Sequence, residues 1–466
     1  MTQTATEEKL PLGLKVSWAT GALGVALLMN SVGGLALFYL TKIVGISGLV
    51  AGILLMISKL YDAFSDPIAG VMSDGSTSDQ GRRRPYLFWG ALISSISIVV
   101  IFSIPLRGDN WLTWGYVLFA LILFTTGYSI FNVPYMAMPA EMTDGYHERS
   151  SIHGWRVIFA AIGSTVAGTG TGILLAYLSD GKKTPDGRAL NVASDYLTIG
   201  LLYGAIILAT MLLAWWGTRH ARMTKRTERV LPWKVQALSF LKNTPFVIIL
   251  SVKAVQLFGI ASAGAATFFL LVEVLSRSTA DFAFLGLPMV ATSIIVTPLL
   301  VNVSKKIGKR WGYVIAAVST GLGALSWVLA QPGDGDWTLM VRGILSGIGF
   351  SGNVLFAMSM LTDSMELDAH RTGMRREGMY TALYSFVEKF SSAAGPAIVG
   401  AALTFAGFDK TASVTPENFE AVRQATLLGV AYIPFGCAIL ACFLLSFYKL
   451  DEKALAQARA DGLLAE

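Results

Sequence analysis

The chain is short of every residue that builds a disulfide scaffold or a zinc site. Cysteine occurs twice in 466 residues, as Cys437 and Cys442 in one apolar run, and the four histidines are scattered. A disulfide framework is therefore excluded. Charge is scarce too. Asp, Glu, Lys and Arg make up 14% of the chain, against roughly 25% in a soluble domain. A soluble protein of this length would lack polar surface. Disorder is excluded by an apolar content of 54%, far above what a disordered chain carries. There is no nucleotide fingerprint, no nucleophile elbow and no metalloenzyme ligand spacing. Gly168-Thr-Gly-Thr-Gly172 is followed by no Lys-Ser/Thr, so it reads as close helix packing and not as a phosphate loop. Neither catalysis nor a cofactor is expected.

Apolar runs take the place of these features. Mean hydropathy is +0.58. Runs long enough to cross a ~30 Å hydrocarbon layer fall near 16–44, 47–73, 85–106, 112–140, 154–178 and 196–218, then near 246–276, 281–303, 312–331, 337–361, 378–406 and 424–448. They predict an all-α membrane protein of twelve transmembrane helices. The first run follows a polar start and is far longer than a signal-peptide core, so it is expected to stay in the membrane. An even number of crossings leaves both termini on one side. Loops on that side hold 23 Lys and Arg, and the opposite loops hold 8, which predicts cytoplasmic termini. The net charge of +6 then reflects loop bias and not nucleic-acid binding. Trp111, Trp114, Trp233, Trp311 and Trp337 mark run ends, as interface anchors do.

The most basic segment, 219–245, reads as a cytoplasmic linker between an N-terminal half, 1–218, and a C-terminal half, 246–466. Within it, Leu231–Leu241 has the pattern of a short amphipathic surface helix. The halves echo one another. Pro67-Ile-Ala-Gly-Val-Met-Ser73 precedes a basic loop, as Pro298-Leu-Leu-Val-Asn-Val-Ser304 precedes Lys305-Lys-Ile-Gly-Lys-Arg310. Arg149 with Gly168, Gly170 and Gly172 is echoed by Arg376 with Gly395, Pro396 and Gly400. Two like six-helix halves are the pattern of a transporter with parallel repeats.

A charge at the bilayer centre costs at least ~2.5–3.5 kcal/mol, so each one needs a reason. Five basic residues lie inside predicted spans: Lys59, Arg156, Lys253, Arg342 and Lys389. In the second span, Lys59, Asp62 and Asp66 recur at i, i+3 and i+7, on one helical stripe. Counted from Ser47, Asp62 lies ~22 Å along the helix, inside the hydrocarbon and past its midplane. Asp62 and Asp66, with Ser65 between them, offer hard oxygens to a small cation such as Na+. They can also share a proton, because paired carboxylates resist double ionisation. A structural salt bridge to Lys59 or to another helix is the other reading. Arg156 in the fifth span and Lys389 in the eleventh could donate to substrate hydroxyls or a carboxylate, or neutralise the aspartates, or lock the halves. Asn132 lies mid-span beside Pro134. It suits a ligand contact or an interhelical hydrogen bond equally.

Several segments together resemble the glycoside–pentoside–hexuronide:cation symporter family. Tyr61-Asp62-Ala-Phe-Ser-Asp66-Pro67, running into Gly70-Val-Met-Ser-Asp74 and Gly81-Arg-Arg-Arg-Pro85-Tyr86, is similar to its second span and loop. Asn132-Val-Pro-Tyr135, Pro139-Ala-Glu-Met-Thr143 and Glu148-Arg149 are similar to its fourth span and loop. Lys242-Asn-Thr-Pro245-Phe246 resembles its entry to span seven. Asp363-Ser-Met-Glu366, Arg375-Arg-Glu-Gly378-Met-Tyr380 and Ser385-Phe-Val-Glu-Lys389 resemble its ten–eleven region. The resemblance implies a major facilitator fold and alternating access, with uptake of a sugar or glycoside driven by Na+, Li+ or H+. It implies that Asp62 and Asp66 bind the cation, with Ser65 and Ser129 where the family has Asn and Thr oxygens. It implies substrate contact or coupling at Asn132, Arg156 and Lys389, with Ser385 beside the last.

Other positions depart from the family. Its melibiose carriers hold the sugar with a first-span Asp beside a Lys and flank it with two Trp. Here those positions are Ala26, Val25, Met136 and Ala357. That argues against melibiose and permits another glycoside, a pentoside or a less polar substrate, because Ala26, Met136 and Ala357 would give the pocket a more apolar lining than a sugar site has. Lysophospholipid transporters share the fold and signature, so an amphiphile carrier is the alternative. Asp74 with Arg82, Arg83 and Arg84 is expected to form ion pairs at an inner gate. The expected partners are a small-molecule substrate, the coupling cation and membrane lipid. The expected setting is a monomer in a bacterial-type plasma (inner) membrane.

Overall fold

A computed structural model describes residues 10–74, 76, 83–143, 146–179, 192–221, 243–372, 377–408, 414–450 and 457. All regular elements among them are helical. This is what hydrocarbon demands, because a helix pairs its own backbone groups where no water can. The first half holds α1 (Leu12–Val44), α2 (Gly48–Asp74), α3 (Arg84–Phe102), α4 (Trp111–Met142), α5 (Ser151–Leu178) and α6 (Ala193–Gly217). The second half holds α7 (Thr244–Val274), α8 (Phe282–Ile307), α9 (Lys309–Leu329), α10 (Asp336–Thr372), α11 (Glu377–Phe405) and α12 (Phe419–Ser446). All but α11 meet the length and hydropathy of a membrane span. α11 carries Glu377, Glu388 and Lys389 in its first half. Trp111, Trp311 and Trp337 are exposed near helix starts, as interface anchors should be.

The helices match the twelve predicted runs, with one informative extension. The apolar run of α10 ends near Leu361, yet the helix continues to Thr372. Residues 361–372 contain no Gly or Pro, so polarity ends the apolar run without ending the helix. The expected surface helix at Leu231–Leu241 lies outside the described residues, as does the linker from 222 to 242.

Contacts sort the chain into two units: Met1–Glu228 with Ser278–Ala280, and Arg229–Arg277 with Asp281–Glu466. Taken separately, the units pack by the same scheme. In the first, α1 packs on α5 and α6, α3 on α4 and α6, and α2 on α4. In the second, α7 packs on α11 and α12, α9 on α10 and α12, and α8 on α10. Each contact recurs six helices later. α1 and α7 also both end in a widened π turn, Leu40–Val44 and Leu270–Val274.

Glycine sets the closest of these contacts. Gly90 of α3 lies against the Phe131 backbone of α4, and Gly127 of α4 lies against Ser94 of α3. In the second unit Gly312 faces Phe356, and Gly352 faces Ala316, at the corresponding crossing of α9 and α10. Proline is accommodated by side chains. Pro139 cannot donate to the Tyr135 carbonyl one turn back. The Trp18 indole of α1 donates to that carbonyl instead, at 3.3 Å. In return the Tyr135 hydroxyl donates to the Trp18 carbonyl at 3.1 Å, and the two rings stack at 4.5 Å.

The glycine contact predicts a stability difference. A Cβ at Gly90 would come within 2.5 Å of the Phe131 backbone nitrogen, whereas at Gly115 it would meet nothing within 4 Å. Gly90→Ala is expected to destabilise by about 1–3 kcal/mol. Gly115→Ala should be neutral or slightly stabilising. Thermal unfolding in detergent separates the two, and equal melting temperatures would refute the crossing as described.

Candidate transport site and its ion pairs

The helical stripe read in α2 is built as expected. Counted from Gly48, Asp62 lies about 21 Å along the helix. It is 2% exposed. Its Oδ1 accepts a hydrogen bond from the Ser129 hydroxyl of α4 at 3.3 Å. The Ser129 and Ser65 hydroxyls are 2.8 Å apart. Ser65 also donates to the Asp62 main-chain carbonyl at 3.2 Å. One carboxylate, one carbonyl and two hydroxyls thus converge between α2 and α4, all inside one unit. Pro67 follows one turn later and cannot donate to the Ala63 carbonyl, which leaves irregular backbone polarity at the same level. Asp66 is part-buried on the next turn of the stripe.

Two further hydroxyl pairs fasten α2 to α4 on the N-terminal side of this set. Ser58 and Thr125 are 2.9 Å apart, and Tyr61 and Thr126 are 3.2 Å apart. Lys59 donates towards Met29 Sδ of α1 at 3.7 Å.

Asn132 lies one turn of α4 beyond Ser129. Its amide nitrogen donates to the Tyr128 hydroxyl at 3.0 Å. Its Oδ1 is buried and accepts no hydrogen bond among the described residues. Arg156 of α5 likewise has a buried Nε without an acceptor among them. Both are poised polar groups of the first unit. Ser385 and Lys389 lie one turn apart on α11, in the second unit. Arg342, another charge within a span, is accounted for by its surroundings. It pairs with Asp334 at 3.6 Å and lies 4.8 Å over the Trp327 ring.

Of the four residues expected at an inner gate, Arg82 and the Asp74 side chain lie outside the described residues. Arg83 is buried, and Glu141 of α4 is one of its partners, at 2.9 Å and 3.1 Å. It also donates to the Pro134 carbonyl at 3.4 Å. Arg84 lies 5.3 Å over the Trp215 ring and donates to the Trp215 carbonyl at 3.4 Å. Glu141 went unassigned in the sequence because an acid at a membrane edge is ordinary. The second unit repeats the arrangement at its own α9–α10 end, where Lys309 meets Asp363 at 2.6 Å.

Two positions read as an apolar pocket lining prove to be packing residues. Ala357 is fully buried in a core with Phe246, Tyr313 and Phe356. Ala26 packs on α5 at Gly163. A small side chain carries no mark of what it faces, and here both face neighbouring helices.

Twelve helices among the described residues, in two like halves with polar groups buried mid-span, have the architecture of a membrane transporter. The chain belongs to the MFS/sugar transport protein family, whose model matches residues 17–452. It is 24% identical over 447 residues to an isoprimeverose transporter of Lactiplantibacillus pentosus, covering 95% of this chain and 90% of that one. It is 25% identical over 458 residues to the putative glycoside/cation symporter YagG of Escherichia coli (strain K12), covering 97% and 94%. Among solved structures, a bacterial homologue of the lysosomal transporter Spinster superposes with a TM-score of 0.64 at 15% identity, covering 95% and 98%. The protein is thus a multi-pass transporter of the major facilitator fold and not an enzyme.

The buried ion pair predicts an asymmetry between the units. Glu141→Gln breaks a buried ion pair by removing one partner and should cost about 3–5 kcal/mol. Asp363→Asn removes the partner of Lys309, which is 43% exposed, and should cost no more than about 1 kcal/mol. Melting temperatures of the two variants in detergent check this. A milder effect for Glu141→Gln would contradict the burial of the Arg83 pair.

Proposed function

We propose that the protein is a secondary active symporter that couples entry of a cation, Na+ or H+, to uptake of a sugar or glycoside. It works by alternating access in a plasma membrane, with both termini cytoplasmic. The observation that carries this reading is the oxygen set around Asp62. A carboxylate at 2% exposure, with the Ser65 and Ser129 hydroxyls and a main-chain carbonyl, suits a small hard cation. The carboxylate also suits a proton. Asp66, one turn on, supplies a second carboxylate. The relatives named for isoprimeverose and for glycoside/cation symport support the sugar and cation parts.

In this reading a cation entering from outside binds at Asp62 and Asp66 and neutralises their mutual repulsion. Substrate then binds, with Asn132, Arg156, Ser385 and Lys389 as its proposed contacts. The loaded carrier closes outside and opens inside. A membrane potential adds ~2.3 kcal/mol per 100 mV for each charge carried. Asp74, Arg82, Arg83 and Arg84 act at the inner gate that holds the cytoplasmic end closed between cycles, and the buried Arg83–Glu141 pair supports a gate role for Arg83.

Proteoliposomes test this directly. Asp62→Asn is expected to abolish accumulation of a labelled glycoside against its gradient, while the protein keeps its melting temperature in detergent. A Na+ gradient that drives uptake identifies Na+ as the coupling ion, and a pH gradient identifies H+. Undiminished accumulation by Asp62→Asn removes the cation role. Flux of lysolipid in place of any glycoside moves the substrate to the amphiphile class.

A further inference from the structure

Two charged side chains of the second unit stand outside the site described above. Lys253 lies on α7 and Glu388 on α11, helices that pack on one another. Both helices start from the same membrane face. At 1.5 Å per residue, Lys253 lies about 14 Å along its helix and Glu388 about 17 Å. That is near the middle of a ~30 Å layer. The two are close enough to attract each other. Even so, neither side chain forms a hydrogen bond or an ion pair among the described residues. Both are part-exposed. An ionisable residue at such depth faces the bundle interior or an aqueous cavity and not lipid, and partial exposure selects the cavity.

Tyr384 completes the cluster. It lies one turn before Glu388 on α11 and feels that carboxylate. Its ring is 5.8 Å from the Lys253 ammonium. Its hydroxyl is buried and has no hydrogen-bond partner among the described residues. The adjacent polar groups are already committed to each other. Tyr313 donates to Gln256 at 2.7 Å, Gln256 to Asn353 at 3.0 Å, and Asn353 to Thr320 at 3.0 Å. Lys389, next along α11, projects about 100° round the helix from Glu388.

Three unmet groups therefore share one region: an ammonium that donates, a carboxylate that accepts and a phenol that does both. Adjacent hydroxyls on a sugar ring match that set. They donate to the two carboxylate oxygens and accept from the ammonium and the phenol. The charges of Lys253 and Glu388 cancel, so a neutral polyol adds no uncompensated charge. An anionic substrate would face the Glu388 carboxylate. We infer that Lys253, Tyr384 and Glu388 form a polyol subsite in the second half that binds adjacent hydroxyls of a neutral glycoside. The inference rests on the sugar reading above and names which class of sugar the second half selects.

Calorimetric binding to the purified full-length protein in detergent tests it. p-Nitrophenyl β-D-xyloside and p-nitrophenyl α-D-galactoside serve as neutral probes, and p-nitrophenyl β-D-glucuronide as the anionic one. Lys253→Met and Glu388→Gln should each weaken the neutral probe that binds best by on the order of tenfold, and Tyr384→Phe by about threefold. All three should keep the cation-dependent rise in melting temperature that depends on Asp62. Glu388→Gln should also shift preference towards the glucuronide. Should Lys253→Met or Glu388→Gln fail to fold, the near-isosteric Tyr384→Phe carries the test. Neutral-probe affinities within about twofold of wild type in all folded variants overturn the subsite and leave the sugar reading standing. Wild-type protein that binds the glucuronide alone overturns the preference for a neutral ligand. Wild-type protein that binds none of the three overturns both readings together.

Discussion

A carboxylate buried in hydrocarbon is the constraint around which the first half is organised. Water cannot solvate Asp62 at 2% exposure, and an isolated ion there would cost far more than a domain's net stability. Hydroxyls from two helices meet part of that cost. Ser129 donates to the carboxylate at 3.3 Å, and Ser65 lies 2.8 Å from Ser129. A hydroxyl differs from an arginine in one decisive respect. It is a donor in one orientation and offers lone pairs in another. The same two serines can therefore support a bare carboxylate and, after rotating, a carboxylate with its cation. A buried arginine would hold the first state and exclude the second. The neighbouring pairs Ser58–Thr125 and Tyr61–Thr126 keep α2 and α4 at the spacing on which that exchange depends.

The two halves share a packing scheme and divide the chemistry. Backbone spacing is set by glycines at matching crossings, Gly90 and Gly127 in one half and Gly312 and Gly352 in the other. Those contacts tolerate no added Cβ, so they hold the scheme in place. Side chains away from the crossings are under no such limit. The first half uses that freedom for carboxylates and serines on α2 and α4. The second uses it for a closed amide–hydroxyl chain through Gln256 and Asn353, and for the open Lys253–Tyr384–Glu388 group. Even the matched ion pairs differ, since Arg83–Glu141 is buried and Lys309 is 43% exposed.

What was legible in the sequence follows the same physics. Twelve helices could be read because lipid forces each crossing into a long apolar run. The Asp62 and Asp66 stripe could be read because a charge in such a run is anomalous and helical spacing assigns its face. Glu141 could not, because charges are common at membrane edges and its pairing with Arg83 needs the fold. Ala26 and Ala357 were read as lining and turned out to be packing, because a methyl group does not record its neighbours. The Tyr313–Gln256–Asn353–Thr320 chain was invisible for a different reason. It depends on the register of three helices, which no single-helix periodicity contains. Glu388 stands beside Lys389 in the sequence, and only the packing of α11 on α7 relates it to Lys253.

The placement of the oxygen set within one unit bears on how coupling would work. Asp62, Ser65 and Ser129 all lie on α2 and α4, within one packed unit. In the proposed cycle the set would keep its geometry, and coupling would come from the effect of the ion on the substrate. Asn132 is one turn of α4 from Ser129, and its buried Oδ1 awaits a donor. A cation at Asp62 would change the field at that oxygen with no rearrangement of α2 against α4, and this is the route by which ion and substrate would be linked in the proposed cycle.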